Sequence, residues 1–278
     1  AAVPEFAHAT ASLEEALRLR SLLEDTPLTA PVTVVGAGPL GIEVAAELGE
    51  LGRTVTLVGP LGPYLHPRAR RSVAKGLAKL GVTVTDATVT EVRRDAVRLD
   101  DGRVLPSTVT IWTAGFGAPD LALRSGLRTD AVGRLVTDET LTSVDDDRIV
   151  ATGDAAAPTG GPLRMSCQAA LPLGSHAADT VLRRIAGERP ADFTKGIAAM
   201  CVSIGRKAGV FQFAHFDDTA MGVHVPGRLG AKLKEAACES PIKQIAAEAR
   251  KPGSHKWMVN DRKRARRVAA KRGTAAAV

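Results

Sequence analysis

The chain has 278 residues, 45% of them apolar and 24% charged, which are ordinary proportions for a soluble globular protein with one large or two ordinary cores. No window approaches the roughly 18 consecutive apolar residues of a membrane-spanning helix, and no basic stretch followed by an apolar run opens the chain, so secretion is unsupported. The net charge of +7 is local: ten Lys or Arg against a single acid, Asp261, lie between Arg250 and Val278, while the rest of the chain is close to neutral. That balance describes a basic tail and excludes a reading of the whole body as a nucleic-acid-binding surface.

Along the chain, residues 1–30 open extended and then form a helix through Leu22 or Leu23, started by the capping box of Ser12 and Glu15. Pro27 and Pro31 close that segment. Val32-Thr33-Val34-Val35 is a short β-branched run suited to a buried parallel strand. Gly36-Ala37-Gly38-Pro39-Leu40-Gly41 follows at once, and Ile42 to Leu51 carry apolar residues at helical spacing. Thr54 to Val58 reads as a second buried strand, Ala69 to Leu80 as a helix and Val82 to Val84 as a strand. Between Thr88 and Leu105 the alternation and the turns at Arg94-Asp95 and Asp101-Gly102 predict a small antiparallel meander. Thr108 to Trp112 returns to a buried strand. Further on, Ile149 to Thr152 reads as a strand, and a helix is predicted from Ser166 or Gln168 to Ile185, interrupted by Pro172 and Gly174. Cys201–Ile204 and Val210–Phe213 predict an antiparallel sheet with a turn at Arg206-Lys207. His176 is read as a solvated or packed side chain.

The glycine loop carries the chemistry. A bare GxGxxG is weak evidence, but this one lies between a strand and a helix and reaches a second strand within the 27 residues Val32–Val58. Gly36 permits the tight turn, Gly38 lets the backbone approach a pyrophosphate, and Gly41 clears the place where helix meets strand. The amides at the helix start then face the phosphate charge. Cys167, Cys201 and Cys238 make neither a CxxC pair nor a zinc spacing, and reduced thiols in a cytosolic protein are expected.

The segment Gly36 to Ala45 resembles the GxGxxGxExA motif of the two-dinucleotide-binding flavoprotein oxidoreductases. Thr113-Ala114-Gly115-Phe116 resembles the family's crossing out of the nicotinamide domain, and Ile149 to Ala156 resembles its second flavin motif. Within the family the chain is most similar to type II NADH dehydrogenases and NAD(P)H:quinone reductases. The resemblance implies an α/β protein with a Rossmann-like NAD(P)-binding domain at 31–115 inserted in an incomplete FAD-binding domain. Residues 1–30 would be the end of the first flavin segment, 116–185 the second, 186–250 an α+β acceptor or interface region, and 251–278 a basic tail. It implies FAD and NAD(P)H as cofactors, held by Gly36, Gly38, Pro39, Leu40, Gly41, Glu43, Ala114, Gly115, Gly153, Asp154 and Gln168. Asp154 would contact the ribityl chain; read locally, it is equally a helix cap. Glu43 would lie near the nicotinamide, or would merely complement the dipole of a first helical turn. Gln168 falls where the family approaches flavin and quinone, although Leu171-Pro172-Leu173-Gly174 replaces the further glutamines of its quinone motif.

The implied activity passes a hydride from NAD(P)H to flavin, and electrons then to a quinone or other small-molecule acceptor. The expected location is cytoplasmic, with peripheral attachment to the inner face of the membrane as the alternative. Only 31 residues precede Val32, none of them glycine, so a fragment or a shortened relative is expected, and FAD is expected to be held weakly or not at all. An NAD(P)-binding module without flavin, and a membrane- or nucleic-acid-associated protein acting through its basic tail, stay open beside the enzyme. Residues beyond about Arg250 are expected to stand outside the core, with Trp257 and Met258 as a shallow membrane anchor in the alternative. Because Gly59-Pro60 follows Val58 where an acid would bind ribose, and Arg68, Arg70 and Arg71 follow, loose discrimination with a lean to NADPH is expected.

Overall fold

The computed structural model describes residues 3–115, 117–254, 257, 259–261, 263, 264 and 266. They form two compact units. The first comprises the described residues up to Gly115 together with Met200–Phe213 and Ala220–Ala236, and the second comprises the remainder. The region 186–250 therefore contributes to both.

In the first unit, β1 (Ala7–Ala9) leads to α1 (Leu13–Glu24), whose capping box forms as predicted: Glu15 N–H donates to Ser12 Oγ, and Ser12 N–H donates to Glu15 Oε2. Then come β2 (Val32–Val35), α2 (Pro39–Glu50), β3 (Val55–Val58), α3 (Pro67–Lys79) and β4 (Thr83–Thr85). The meander is β5 (Val89–Val92), β6 (Ala96–Leu99) and β7 (Val104–Pro106), antiparallel, and β8 (Val109–Trp112) closes the unit's first stretch. The main sheet runs β1-β8-β2-β3-β4 with every pair parallel. All four residues of β2 are buried, as expected of a strand covered by helices on both faces. Ile42, Ala45, Leu57, Val73, Leu77 and Ile111 meet in the core.

In the second unit, the short α4 (Leu121–Arg124) precedes β9 (Leu135–Thr137). A single 3-10 turn at Gly153–Ala155 leads into β10 (Ala156–Pro158), which pairs in parallel with β9. The stretch 149–152 is not the strand its composition suggested. It makes one isolated bridge, Thr142 to Val150, and Gly153 at φ +59° turns the chain before a ladder can extend. Helix α5 (Cys167–Ile185) is also unlike its prediction, because it runs uninterrupted through Pro172 and Gly174. Pro172 forfeits one backbone hydrogen bond. Its side chain is buried together with Ala169, Leu173 and Ala177, and that packing carries the helix past it.

The C-terminal stretch supplies β11 (Ala199–Ile204), β12 (Ala208–Ala214), β13 (Ala220–Pro226) and α6 (Gly227–Arg250). The strands are ordered β11-β12-β13, with the predicted turn between the first two. Met200, Val202, Ile204 and Val210 join the core of the first unit, and Gly76 of α3 gives Ile204 its room. Strand β13 and helix α6 were not legible in the sequence.

The basic tail departs from expectation at Arg264. This side chain is 1% exposed, its Nε donates to Glu139 Oε2 at 3.0 Å, and Nη1 donates to the Gly161 carbonyl at 2.7 Å. Its guanidinium carbon lies 5.2 Å from the centre of the Phe193 ring. Glu139 is wholly buried and also accepts Gly160 N–H at 2.6 Å. Asp261 is buried, and Trp257 Nε1 donates to the Gly196 carbonyl. A buried carboxylate in the second unit needs a counter-charge, and one of the tail's arginines supplies it. Met258, Arg262 and Arg267 lie outside the described residues.

His176 of α5 is packed, edge to face, on Phe193 with ring centres 5.3 Å apart. Burial pushes its pKa below the ordinary 6.5. The unfolded chain therefore takes up the proton first as pH falls, so this residue's contribution is full above about pH 6.5 and is lost as pH drops toward the folded value.

Two outcomes follow. Arg264→Ala strands a buried carboxylate and should cost about 3–5 kcal/mol in urea unfolding of the second unit. A loss below about 1 kcal/mol, the range of an exposed pair, would refute the buried role. His176→Gln should flatten the decline in stability as the pH falls below about 6.5. An unchanged pH profile would show that His176 does not titrate in this range.

Candidate functional site

The predicted residues of the first unit assemble at the carboxyl end of the parallel sheet. Strand β2 is followed in sequence by β3 on one side and paired with β8 on the other, so the chain's direction of travel reverses there, which is where open α/β sheets take their ligands. Gly36 leaves β2 at φ +104°, and its N–H donates to the Val58 carbonyl at 2.8 Å. A Cβ at Gly36 would lie 2.8 Å from Ala114 N, so the turn closes on the backbone of Ala114 only because the side chain is absent. Thr113 Oγ1 reaches the Val35 and Gly36 carbonyls, at 2.8 and 2.9 Å, and ties the end of β8 to the loop. Gly115 follows at φ +82°. Ala114 and Gly115 are thereby placed beside Gly36, while Phe116 lies outside the described residues.

Gly41 sits on the other side of the same turn. A Cβ there would be 1.8 Å from the Gly36 carbonyl oxygen, the close helix–strand contact predicted for it. Gly38 is different. It precedes α2 in an extended conformation, and a Cβ on it would meet nothing within 4 Å. Its side-chain space is open, as a backbone that approaches a ligand requires. Pro39 opens α2 with its φ fixed, and Leu40 is partly exposed beside it. No side chain caps this helix, and its first turn holds no acid. The first-turn amides thus keep their capacity for an anion. At the same sheet edge Thr10 Oγ1 and Trp112 Nε1 are buried without a hydrogen-bond partner among the described residues. These features fit a dinucleotide laid across the loop.

Glu43 lies beyond the first turn, so the reading of it as a dipole-complementing residue is corrected. Its carboxylate pairs with Lys234 Nζ of α6 and accepts Ser203 N–H of β11 at 3.1 Å; Lys234 also donates to Ser203 Oγ at 2.7 Å. It joins the C-terminal elements to α2 by contacts no local pattern announces.

In the second unit Gly153, Asp154 and Gln168 come together. The 3-10 turn packs on α5, with Gly153 facing Ala170. Asp154 does not cap a helix of its own. Its Oδ1 accepts the N–H of Ser166 at 3.0 Å, and Ser166 Oγ in turn caps α5 through Ala169 N–H. Asp154 is exposed and its Oδ2 is unengaged among the described residues, which suits a polyhydroxyl chain. Gln168 is half-buried on the first turn of α5, beside exposed Cys167. Ser166 was missed as a contributor; the signal was a serine one residue before a helical run. Among the described residues no group of His, Cys, Asp or Glu is arranged to hold a metal ion, and no helix is long and apolar enough to cross a membrane.

Known proteins share this architecture. A type II NADH:quinone oxidoreductase of Mycobacterium tuberculosis is 29% identical over 264 residues, covering 76% of this chain and 56% of that protein. A rubredoxin-NAD(+) reductase of Alcanivorax borkumensis is 32% identical over 139 residues, covering 46% and 36%. An NAD-dependent persulfide reductase from A. fulgidus shares the fold, with a TM-score of 0.63 at 23% identity over 77% of this chain and 41% of that one. The chain spans about half the length of the curated relatives it matches. The family model for pyridine nucleotide-disulphide oxidoreductases matches residues 2–174, which take in the glycine loop, the Thr113–Gly115 crossing, and the Gly153–Asp154 turn with Gln168. The chain belongs to the pyridine nucleotide-disulphide oxidoreductases, a family whose cofactors are FAD and NAD(P)H.

Proposed function

We propose that the chain is the nucleotide-binding part of an NAD(P)H oxidoreductase, and that Gly36, Gly38, Pro39, Leu40, Gly41, Ala114 and Gly115 hold the pyridine nucleotide. The observation that carries this reading is the open, uncapped start of α2 above a turn with no room for side chains. The free amides there meet the pyrophosphate charge, and Gly38 lets the backbone come close. Gly153, Asp154 and Gln168 would hold the flavin, with Asp154 on its ribityl hydroxyls and Gln168 toward its ring. When bound, that cofactor supplies the hydride acceptor and the electron relay, and the chain's residues bind, orient and exclude water. Glu43, tied to Lys234 and Ser203, acts as a positioning residue that keeps α2 and the C-terminal strands in one arrangement.

The acceptor of the electrons is a quinone in this reading, supported by the likeness to type II NADH:quinone oxidoreductases. The likeness to a rubredoxin-NAD(+) reductase supports a redox protein as acceptor instead. A cytoplasmic protein resting on the inner membrane face through its basic segment is part of the same proposal; of the segment's described cations, Lys251, Lys263 and Arg266 are exposed, as contact with anionic lipid requires, while Arg264 is buried.

Gly38→Val separates nucleotide binding from folding, because its side chain enters open space. The variant should keep the wild-type unfolding midpoint and lose at least about tenfold in NAD(P)H affinity, about 1.4 kcal/mol. Unchanged affinity in the folded variant would overturn the assignment. NAD(P)H oxidation by a water-soluble quinone, appearing when FAD is added, is the expected activity. Tight nucleotide binding with no flavin retained on the protein after the added FAD is removed by gel filtration would favour a binding module over an enzyme.

A further inference from the structure

The place where a dinucleotide's adenosine ribose is read lies at the end of β3, and here its chemistry is inverted. In this kind of unit an Asp or Glu after the second strand accepts the ribose hydroxyls and repels a 2′-phosphate. The residue after β3 is Gly59, and its geometry forbids a carboxylate. It stands at φ +133°, its N–H donates to the Thr85 carbonyl at 2.9 Å, and a Cβ on it would lie 3.1 Å from Ala37 N in the glycine loop. The connection 59–66 that follows contains no acid. It is bound to the glycine loop through Gly62 N–H and the Ala37 carbonyl at 2.8 Å. A nucleotide on Gly36–Gly41 would therefore meet this connection.

Beyond the connection stand Arg68, Arg70 and Arg71, on the opening turns of α3. Several arginines elsewhere, among them Arg93, Arg103, Arg128, Arg134 and Arg164, pair with a carboxylate. Among the described residues none of these three makes an ion pair. The first turn of α3 has no acid either, so the cations stand against the helix dipole with no local compensation. Arg70 is the constrained member. It is half-buried, its Nη2 donates to the Leu65 carbonyl at 3.3 Å, and its Nε is buried without a partner. A guanidinium held in this way keeps its orientation, and its planar fork matches phosphate oxygens.

We propose that this site accepts the 2′-phosphate of NADPH, that Arg70 is the residue determining that preference, and that Arg68 and Arg71 add to the attraction. The inference rests on the nucleotide reading of the Gly36–Gly41 loop and sharpens it from NAD(P)H to NADPH. It also implies that the electrons enter from the reduced NADP pool rather than from NADH.

Binding of NADPH, NADH, 2′,5′-ADP and 5′-AMP to the whole chain, all at one ionic strength, tests it. NADPH should bind at least about tenfold tighter than NADH, about 1.4 kcal/mol, and 2′,5′-ADP should compete where 5′-AMP does not. Arg70→Gln should weaken NADPH by about tenfold and leave NADH within about twofold. Should that variant fail to fold, Arg71→Gln and Pro60→Asp, both at exposed positions, carry the test. The first should weaken NADPH alone, and the second should move the preference toward NADH by restoring a carboxylate. Equal affinity, a preference for NADH, or an Arg70→Gln loss shared by both nucleotides would overturn the inference while leaving the nucleotide site standing. Binding of neither nucleotide would overturn the site itself, and the inference with it.

Discussion

The contact on which the candidate nucleotide site depends is the approach of one backbone to another at Gly36. The chain leaves β2, turns, and enters α2 with the backbone of Ala114 against one side of the turn and Gly41 against the other. Any side chain at Gly36 or Gly41 would occupy space already held by main-chain atoms, which cannot rotate away as a side chain can. Thr113 donates its N–H to the Val35 carbonyl and shares its one hydroxyl proton between the Val35 and Gly36 carbonyls, so β8 holds the loop as well as bordering it. The openness of Gly38 and the uncapped amides of α2 are consequences of this packing. With the turn closed on both sides, the remaining face is the one left to a ligand.

Charge plays a different part in each unit. In the first, Glu43 fastens β11 and α6 onto α2 through Ser203 and Lys234, while the arginines opening α3 make no ion pair among the described residues. In the second, Glu139 and Arg264 are paired out of contact with water, Glu139 also accepting from Gly160 N–H and Arg264 donating to the Gly161 carbonyl. A pair of that kind adds little net stability but penalises any arrangement in which one member is missing. It converts one residue of a basic run into part of the core, whereas its neighbour Arg266 is exposed.

Much of the first unit was legible locally. Strands that are β-branched throughout, helices with apolar periodicity and a capping box at Ser12 follow from sterics and hydrogen bonding over a few residues, and each formed close to where it was read. The misreadings arose where a distant partner outweighed a local preference. Pro172 and Gly174 suggested a break, yet burial of Ala169, Leu173 and Ala177 against the second core keeps α5 whole. Ile149–Thr152 has strand composition but only one bridging partner. Helix α6 carries Pro241 and a weak apolar pattern, and its contact through Lys234 is not written in its own spacing.

By itself the sequence determined the parallel α/β unit, the glycine loop and the family, because these rest on short-range rules: which backbone angles a glycine allows and which residues suit a buried strand. The tertiary structure alone decided that Glu43 binds Lys234, that Arg264 belongs to the second core, that Asp154 braces Ser166, and that Gly59 leaves no room for an acid beside Ala37. Each of these joins residues far apart in the chain or depends on how closely two loops approach. Such pairings are selected by burial and by the cost of leaving a charge or a polar group unmatched, which local residue preferences do not encode.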